Sequence, residues 1–255
     1  MHEPLNIVNF RDIHGYRNQY GESIRPGKVF RGAALDHVTA EEIGYLEDTL
    51  GIRYILDFRD EKEAAQSPDV PFPKAQYLRV GALNADNPKG FNFADLLSGS
   101  PSGEQVKFLR RYLLKGYALM PFDNEAYKVF FTLLLKNDGA IYFHCSAGKD
   151  RTGVCAMLFM LALGMGERDV IREYLLSNRY LKDVNRQFYK THKVPWYLRQ
   201  YLAPLMKVSR RSIKLSMGEI RKRYSGYDPF LEAEYGLDEA KRALLRGYYC
   251  QKDGA

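Results

Sequence analysis

The segment His144-Cys145-Ser146-Ala147-Gly148-Lys149-Asp150-Arg151-Thr152-Gly153 concentrates the residue types best suited to chemistry. Five residues separate Cys145 from Arg151, an apolar run (Ala140–His144) leads into the segment, and another (Val154–Met165) leaves it. The pattern predicts a strand, a tight loop and a helix in immediate succession. The first N–H groups of such a helix lack partners within it and carry the positive end of its dipole. A loop of this length curls so that its main-chain donors ring an anion, with the cysteine sulfur at the base. Gly148 permits the curvature. Arg151 closes the ring with a two-pronged contact to a tetrahedral oxyanion. Phosphate, or sulfate in its place, is the natural guest, bound by Ser146, Ala147, Gly148, Lys149, Asp150 and Arg151.

The same loop addresses reactivity. A free cysteine has a pKa of about 8.5 and only its thiolate attacks. Inward amides, the helix dipole and Arg151 all favour the anion, and Thr152 can donate its hydroxyl to the sulfur. His144 is read as holding the strand end by hydrogen bonds, not as a base. Cys155 is read as a small buried hydrophobe, and Cys250 as incidental.

Further elements must position this loop. Val29–Phe30, Ile52–Phe58 and Gln76–Val80 read as strands. Thr39, with Glu42 three residues on, predicts a capped helix over Thr39–Leu50 that Gly51 stops. Glu104–Leu119, Asn124–Lys136 and Thr152–Leu163 are helical by pattern, and almost everything from Glu167 onward is helix. Asn84–Gly103, rich in Gly, Asn, Ser and Pro, reads as a long loop. The expectation is an α/β fold: a central, mostly parallel sheet flanked by helices, with a helical C-terminal extension, in one domain over residues 1–255. The apolar positions of Tyr174–Tyr201 read first as helix packing. A lid formed by about residues 167–205 is the alternative.

Composition narrows the function classes. The 255 residues are 45% hydrophobic and 27% charged, with 38 Lys+Arg against 31 Asp+Glu, a net charge of +7. These are values of an ordinary globular chain, not a disordered one. The positive balance suits anionic ligands, but no nucleic-acid-binding signature accompanies it. Three cysteines are too few for a disulfide scaffold or a tetrahedral zinc site, and neither metal nor cofactor is expected. The longest apolar run falls short of the roughly 20 residues a bilayer span needs. Met1–Phe10 lacks a secretory pattern. The expectation is a cytoplasmic protein without an integral membrane segment, secretion remaining open.

The segment resembles the signature loop of the cysteine-dependent protein tyrosine phosphatases, His-Cys-X5-Arg-Ser/Thr, and its fuller form is similar to the bacterial tyrosine and dual-specificity branch. Asn9-Phe10-Arg11-Asp12 with Gly15-Tyr16 resembles that branch's N-terminal motif. Val29-Phe30-Arg31-Gly32 resembles its Tyr-Arg-Ser element, with Gly32 in place of serine. Gly51-Ile52, Asp57-Phe58-Arg59 and Glu63 resemble its Gly-Ile…Asp-Leu-Arg…Glu pattern, and Tyr224-Ser225-Gly226-Tyr227 and Tyr235-Gly236-Leu237 its tail. The resemblance implies a phosphatase-type P-loop and metal-free phosphoryl transfer through a phosphocysteine on Cys145. The substrate it implies is phosphotyrosine in proteins, with phosphoinositides or phosphoserine/threonine as alternatives. A leaving oxygen needs a proton. Asp150, fixed by the loop, is the preferred donor. Asp57, whose counterpart in the secreted relatives is a proposed acid, is the second choice, and it can instead anchor an arginine such as Arg31. Asp60, Asp86 and Asp95 are weaker. Lys149 resembles a residue that holds extra ring phosphates in phosphoinositide phosphatases, and reads equally well as a solvated charge. A rhodanese-type sulfurtransferase fits the loop length poorly. An inactive phosphate-binding module has no evident reason to keep both Cys145 and Arg151.

Overall fold

The four expected strands lie side by side in a computed structural model that describes residues 5–82, 103–194 and 196–252. In chain order the strands are β1 (Arg11–Asp12), β2 (Glu22–Ile24), β3 (Val29–Gly32), β4 (Ile52–Asp57), β5 (Gln76–Arg79), β6 (Ala140–His144) and β7 (Cys250–Lys252). One sheet runs β1-β3-β6-β4-β5, and β2 pairs with β7 in a separate ribbon. Strands β3, β6, β4 and β5 are parallel, and β1 joins the edge antiparallel. Strands β1, β2 and β7 have two or three residues, too short to show a side-chain period. The expected loop at Asn84–Gly103 lies outside the described residues up to Gly103, which opens the helix Gly103–Leu119. Asp86 and Asp95 lie outside them too.

Strand β6 is central, and all of its residues are buried, as expected for a parallel strand covered on both faces. The helix that follows, Arg151–Ala162, is apolar all round and buried along nearly its whole length, the pattern of a core helix. Its Phe159 ring lies 6.2 Å from that of Phe130, which in turn lies 4.8 Å from that of Phe143. Phe30, Leu46, Ile55 and Tyr142 form a second cluster. From Glu167 the chain is helical apart from turns until β7. Among the described residues no helix is long and apolar enough to cross a membrane.

The cap at Thr39 forms as its spacing predicts: Glu42 N–H donates to Thr39 Oγ1 (3.2 Å), and Thr39 N–H donates to Glu42 Oε2 (2.7 Å). The α-helix, however, ends at Gly44, and Tyr45–Thr49 continues with π spacing. Apolar periodicity over a single turn cannot separate the two spacings.

The carboxyl ends of three parallel strands meet. Gly32 and Asp57 both pair with His144 in register, where open α/β sheets bind ligands. The structure also accounts for the glycine at position 32. A Cβ there would lie 2.4 Å from the Tyr142 hydroxyl and 3.2 Å from the Phe10 backbone. That hydroxyl donates to the Ala33 carbonyl at 2.5 Å, so it cannot swing aside freely. Gly32→Ser should destabilise the protein by about 1–3 kcal/mol, the usual range for overpacking. The loss should be smaller in a Tyr142→Phe background. Urea unfolding of the four proteins checks this, and additive effects would exclude the clash.

Candidate active site

Residues 145–150 join β6 to the helix Arg151–Ala162. Gly148 has φ +63°, and a Cβ there would lie 2.0 Å from the Gly32 carbonyl oxygen, so the loop presses on the end of β3. The loop's carbonyls are engaged from outside. Ala34 N–H donates to Ser146 O (3.2 Å). Asn9 Nδ2 donates to Ala147 O (3.0 Å) and Gly148 O (2.8 Å), and Arg31 Nη2 also donates to Gly148 O (2.8 Å). The amides of Ser146 through Asp150 find no acceptor among the described residues. Buried main-chain donors are normally paired, so a run of unpaired amides is the signature of an anion cradle.

Cys145 is 3% exposed. Burial alone would raise its pKa. Arg151, the Thr152 hydroxyl and the Thr152 amide outweigh burial, and the thiol is held below its ordinary value despite an opposing contribution from Asp150. The Thr152 hydroxyl is buried and has no oxygen or nitrogen partner among the described residues, which leaves it for the sulfur. Cys155 and Cys250 are buried too, and burial pushes the first well up and the second to about 12.

Glu63 holds Arg151 in a fork: Nη1 to Oε2 at 2.5 Å, Nη2 to Oε1 at 2.7 Å. The same carboxylate accepts from the Asp60 amide (3.1 Å), completing the capping box of helix Glu61–Gln66, and from the Ser146 hydroxyl (3.1 Å). Asp60 is thus a cap. A bidentate guanidinium–carboxylate pair fixes a plane as well as a distance. In the sequence Glu63 stands out only as part of the family pattern. Its capping-box spacing to Asp60 was the signal available.

Asp150 accepts short hydrogen bonds from the Tyr117 hydroxyl and from Lys149 Nζ, and Tyr117 lies 2.5 Å from the Tyr174 hydroxyl. Asp57, the second expected acid, is placed elsewhere. It is 0% exposed and does not border the cavity over Cys145. Its carboxylate accepts from the Arg59 guanidinium (2.8 Å) and amide (2.9 Å) and from the Tyr77 hydroxyl (2.7 Å). Burial pushes its pKa up, but His144 and Arg59 outweigh burial and hold the carboxyl below the usual range. Asp57 therefore sits in an ion pair away from the cavity. It does anchor an arginine, but Arg59, whereas Arg31 pairs with Glu173 (2.7 Å).

Glu173, from helix Glu167–Leu175, joins two buried arginines. Its Oε1 meets Arg11 Nε at 2.7 Å and its Oε2 meets Arg31 Nη1. Arg11 also donates to Asn9 Oδ1 (2.7 Å) and Ser177 Oγ (3.1 Å). Burial and the neighbouring Arg11 lower Arg31 to about 10. Beneath the loop, His144 Nε2 meets Asp69 at 2.9 Å. Burial would lower the His144 pKa, but Asp69 and Asp57 raise it above its ordinary value. Asp57, Asp69 and His144 bring ligand-type atoms within 4.8 Å of one another. The Arg59 guanidinium already bridges both carboxylates at 2.8 and 2.9 Å and takes the place a cation would need.

A cavity of about 920 Å³ opens above Cys145, Ser146 and Arg151, with Leu113, Leu181 and Phe188 among its walls. A model of the tyrosine phosphatase family matches residues 4–251. The chain belongs to the tyrosine phosphatase family. As a member of it, the protein is a phosphatase. It is 25% identical over 95% of its length to a Cupriavidus necator protein named among the tyrosine-protein phosphatases, covering 86% of that protein. It is also 29% identical, over 67% of its length and 66% of the relative's, to the triple specificity protein phosphatase PtpB of Mycobacterium tuberculosis. A solved structure of the human tyrosine phosphatase-like serine/threonine/tyrosine-interacting protein aligns with 66% of this chain and 96% of its own at 15% identity and a TM-score of 0.35.

Alkylation by iodoacetate should inactivate this phosphatase with a midpoint below the roughly 8.5 of free cysteine. Thr152→Ala removes hydroxyl stabilisation of the thiolate, so its midpoint should move to higher pH. The rate of inactivation against pH measures both. A wild-type midpoint at or above 8.5 would contradict the electrostatic account, and Cys155 and Cys250, raised as they are, should not contribute.

Proposed function

We propose that the protein hydrolyses phosphotyrosine in proteins through a phosphocysteine on Cys145. The observation that carries this reading is the run of amides without acceptors around the lowered Cys145 thiol, beside the clamped Arg151. The thiolate attacks phosphorus, the S–P bond forms and the bond to the leaving oxygen breaks. Water then attacks the phosphocysteine and releases phosphate. In both steps charge spreads over three equatorial oxygens, where the amides of Ser146 to Asp150 and the positive charge of the Glu63-held Arg151 stabilise it. Asp150 protonates the leaving phenolate and then takes the proton of the attacking water. It borders the cavity, where Asp57 does not, and Tyr117 and Lys149 fix its carboxyl group.

Apolar walls suit the ring of the substrate side chain. Leu181, Val184 and Phe188 border the cavity, so a lid at about residues 167–205, the alternative to plain helix packing, belongs to this proposal as a cover over the bound ring. A second reading, a phosphoinositide headgroup, draws on the cavity volume, on Lys149 at its rim and on the triple specificity in the mycobacterial relative's name.

The test is a substrate panel. Cys145→Ser should bind phosphotyrosine peptide and turn over none. Asp150→Asn should lose about a hundredfold or more in kcat on substrates with poor leaving groups, and much less on an activated aryl phosphate. Asp57→Asn should show no such leaving-group dependence. An Asp150→Asn enzyme indifferent to the leaving group removes Asp150 as the acid. Turnover by Cys145→Ser removes the covalent route.

A further inference from the structure

We propose that a second cavity beside the catalytic one takes an anionic side chain next to the phosphotyrosine of a peptide substrate. The proposal rests on the phosphotyrosine reading above and assigns a specificity site to it.

The second cavity has a volume of about 330 Å³ and shares Leu113, Tyr117, Lys149, Asp150 and Leu205 with the catalytic cavity. A group held in one is therefore a close neighbour of a group held in the other. Three cations border it: Lys149 from the loop, Lys207 just after helix Trp196–Met206, and Arg211 in the first turn of helix Arg210–Arg223. Its one carboxylate is Asp150, which Lys149 and Tyr117 already engage. Lys207 and Arg211 are exposed, and no ion pair among the described residues involves either. Ser209 and Ser212 add hydroxyls to the same wall. Ser209 Oγ accepts from the Ser212 amide at 3.1 Å.

Folding alone does not explain this charge. Basic side chains in the first turn of a helix oppose its dipole, and no acidic residue stands there to balance them. Lys207 and Arg211, neither ion-paired among the described residues, stand beside the Lys149–Asp150 pair and form a receptor for an anion. The remaining wall decides which anion. Leu113, Leu114, Ala203 and Val208 are apolar and suit the methylenes of a glutamate or phosphorylated side chain. The occupant is thus an acidic or phosphorylated residue flanking the phosphotyrosine.

The test compares phosphotyrosine peptides that carry alanine, glutamate or phosphoserine at the neighbouring positions, at fixed ionic strength because exposed charges are screened. The wild type should favour the anion-flanked peptides by about tenfold in kcat/KM, mainly through KM. The Lys207→Gln/Arg211→Gln variant should lose that preference, and Lys207→Glu/Arg211→Glu should reverse it. Thermal melting of each variant confirms that it is folded. A wild type indifferent to the flanking charge overturns the proposal. So does a preference that survives in the neutral variant, which would trace to the overall positive field. A soluble inositol bisphosphate whose hydrolysis depends on both residues, while flanked peptides show no preference, assigns the cavity to that ligand and also overturns it. Failure of the wild type to hydrolyse any aryl phosphate would refute the phosphatase reading instead, so the two failures are distinct.

Discussion

The structure is organised around holding the Cys145 thiol below its ordinary pKa in a place that water barely reaches. Burial opposes the thiolate at Cys145, and an isolated buried charge is costly. What offsets that cost at the sulfur is the Arg151 guanidinium with the Thr152 hydroxyl and amide, and the amides of Ser146 to Asp150 are left for a bound anion. Amides are well suited to the task because they bring partial charge without a counter-ion. They are free only if the carbonyls of the same loop are satisfied elsewhere. Asn9, Arg31 and the Ala34 amide do this from outside the loop. Arg31, fully buried, then needs a carboxylate of its own, and Glu173 supplies it to Arg31 and Arg11 together. Each compensation creates the need for the next. A network that appears remote from the chemistry is thus a direct consequence of the unpaired amides.

A second ionic layer lies beneath the loop. Asp57 and Asp69 face Arg59 and His144 in a dry cluster. The His144 pKa is raised and that of Asp57 lowered, so both are biased toward their charged forms and the layer approaches neutrality. Removing one member of such a set would leave a buried charge without a partner, which typically costs about 3–5 kcal/mol. The same groups bias Asp57 toward its carboxylate form. It is held ionised by groups that also fix the end of β4 beside β6.

How much of this was legible depends on distance along the chain. The loop, its strand and its helix are consecutive, so residue type and spacing placed Cys145, Gly148, Arg151 and Thr152 together directly. The long parallel strands and the Thr39 cap were legible for the same reason, being local patterns. The bracing contacts were not. Asn9 meets Gly148 across 139 residues, and Arg31 meets Glu173 across 142. No periodicity links such positions, and a buried charge reads in sequence like a solvated one. Gly32 shows the opposite case. As a departure from the family pattern it had no explanation until the Tyr142 hydroxyl was seen to occupy the space of a side chain.

Asp150 and the loop around Cys145 are mechanically linked through one short helix. Glu173 and Tyr174 are adjacent in helix Glu167–Leu175 and serve different parts of the site. Glu173 fixes the arginines behind the loop. Tyr174 meets the Tyr117 hydroxyl that donates to Asp150. Its ring also lies so close to Gly153 that a Cβ there would come within 2.7 Å, so the glycine lets the helix approach the first turn after the loop. Displacing this helix would loosen the amide cradle and shift the Asp150 carboxyl together. The Asp150 carboxyl and the loop around Cys145 are thereby braced through the same helix.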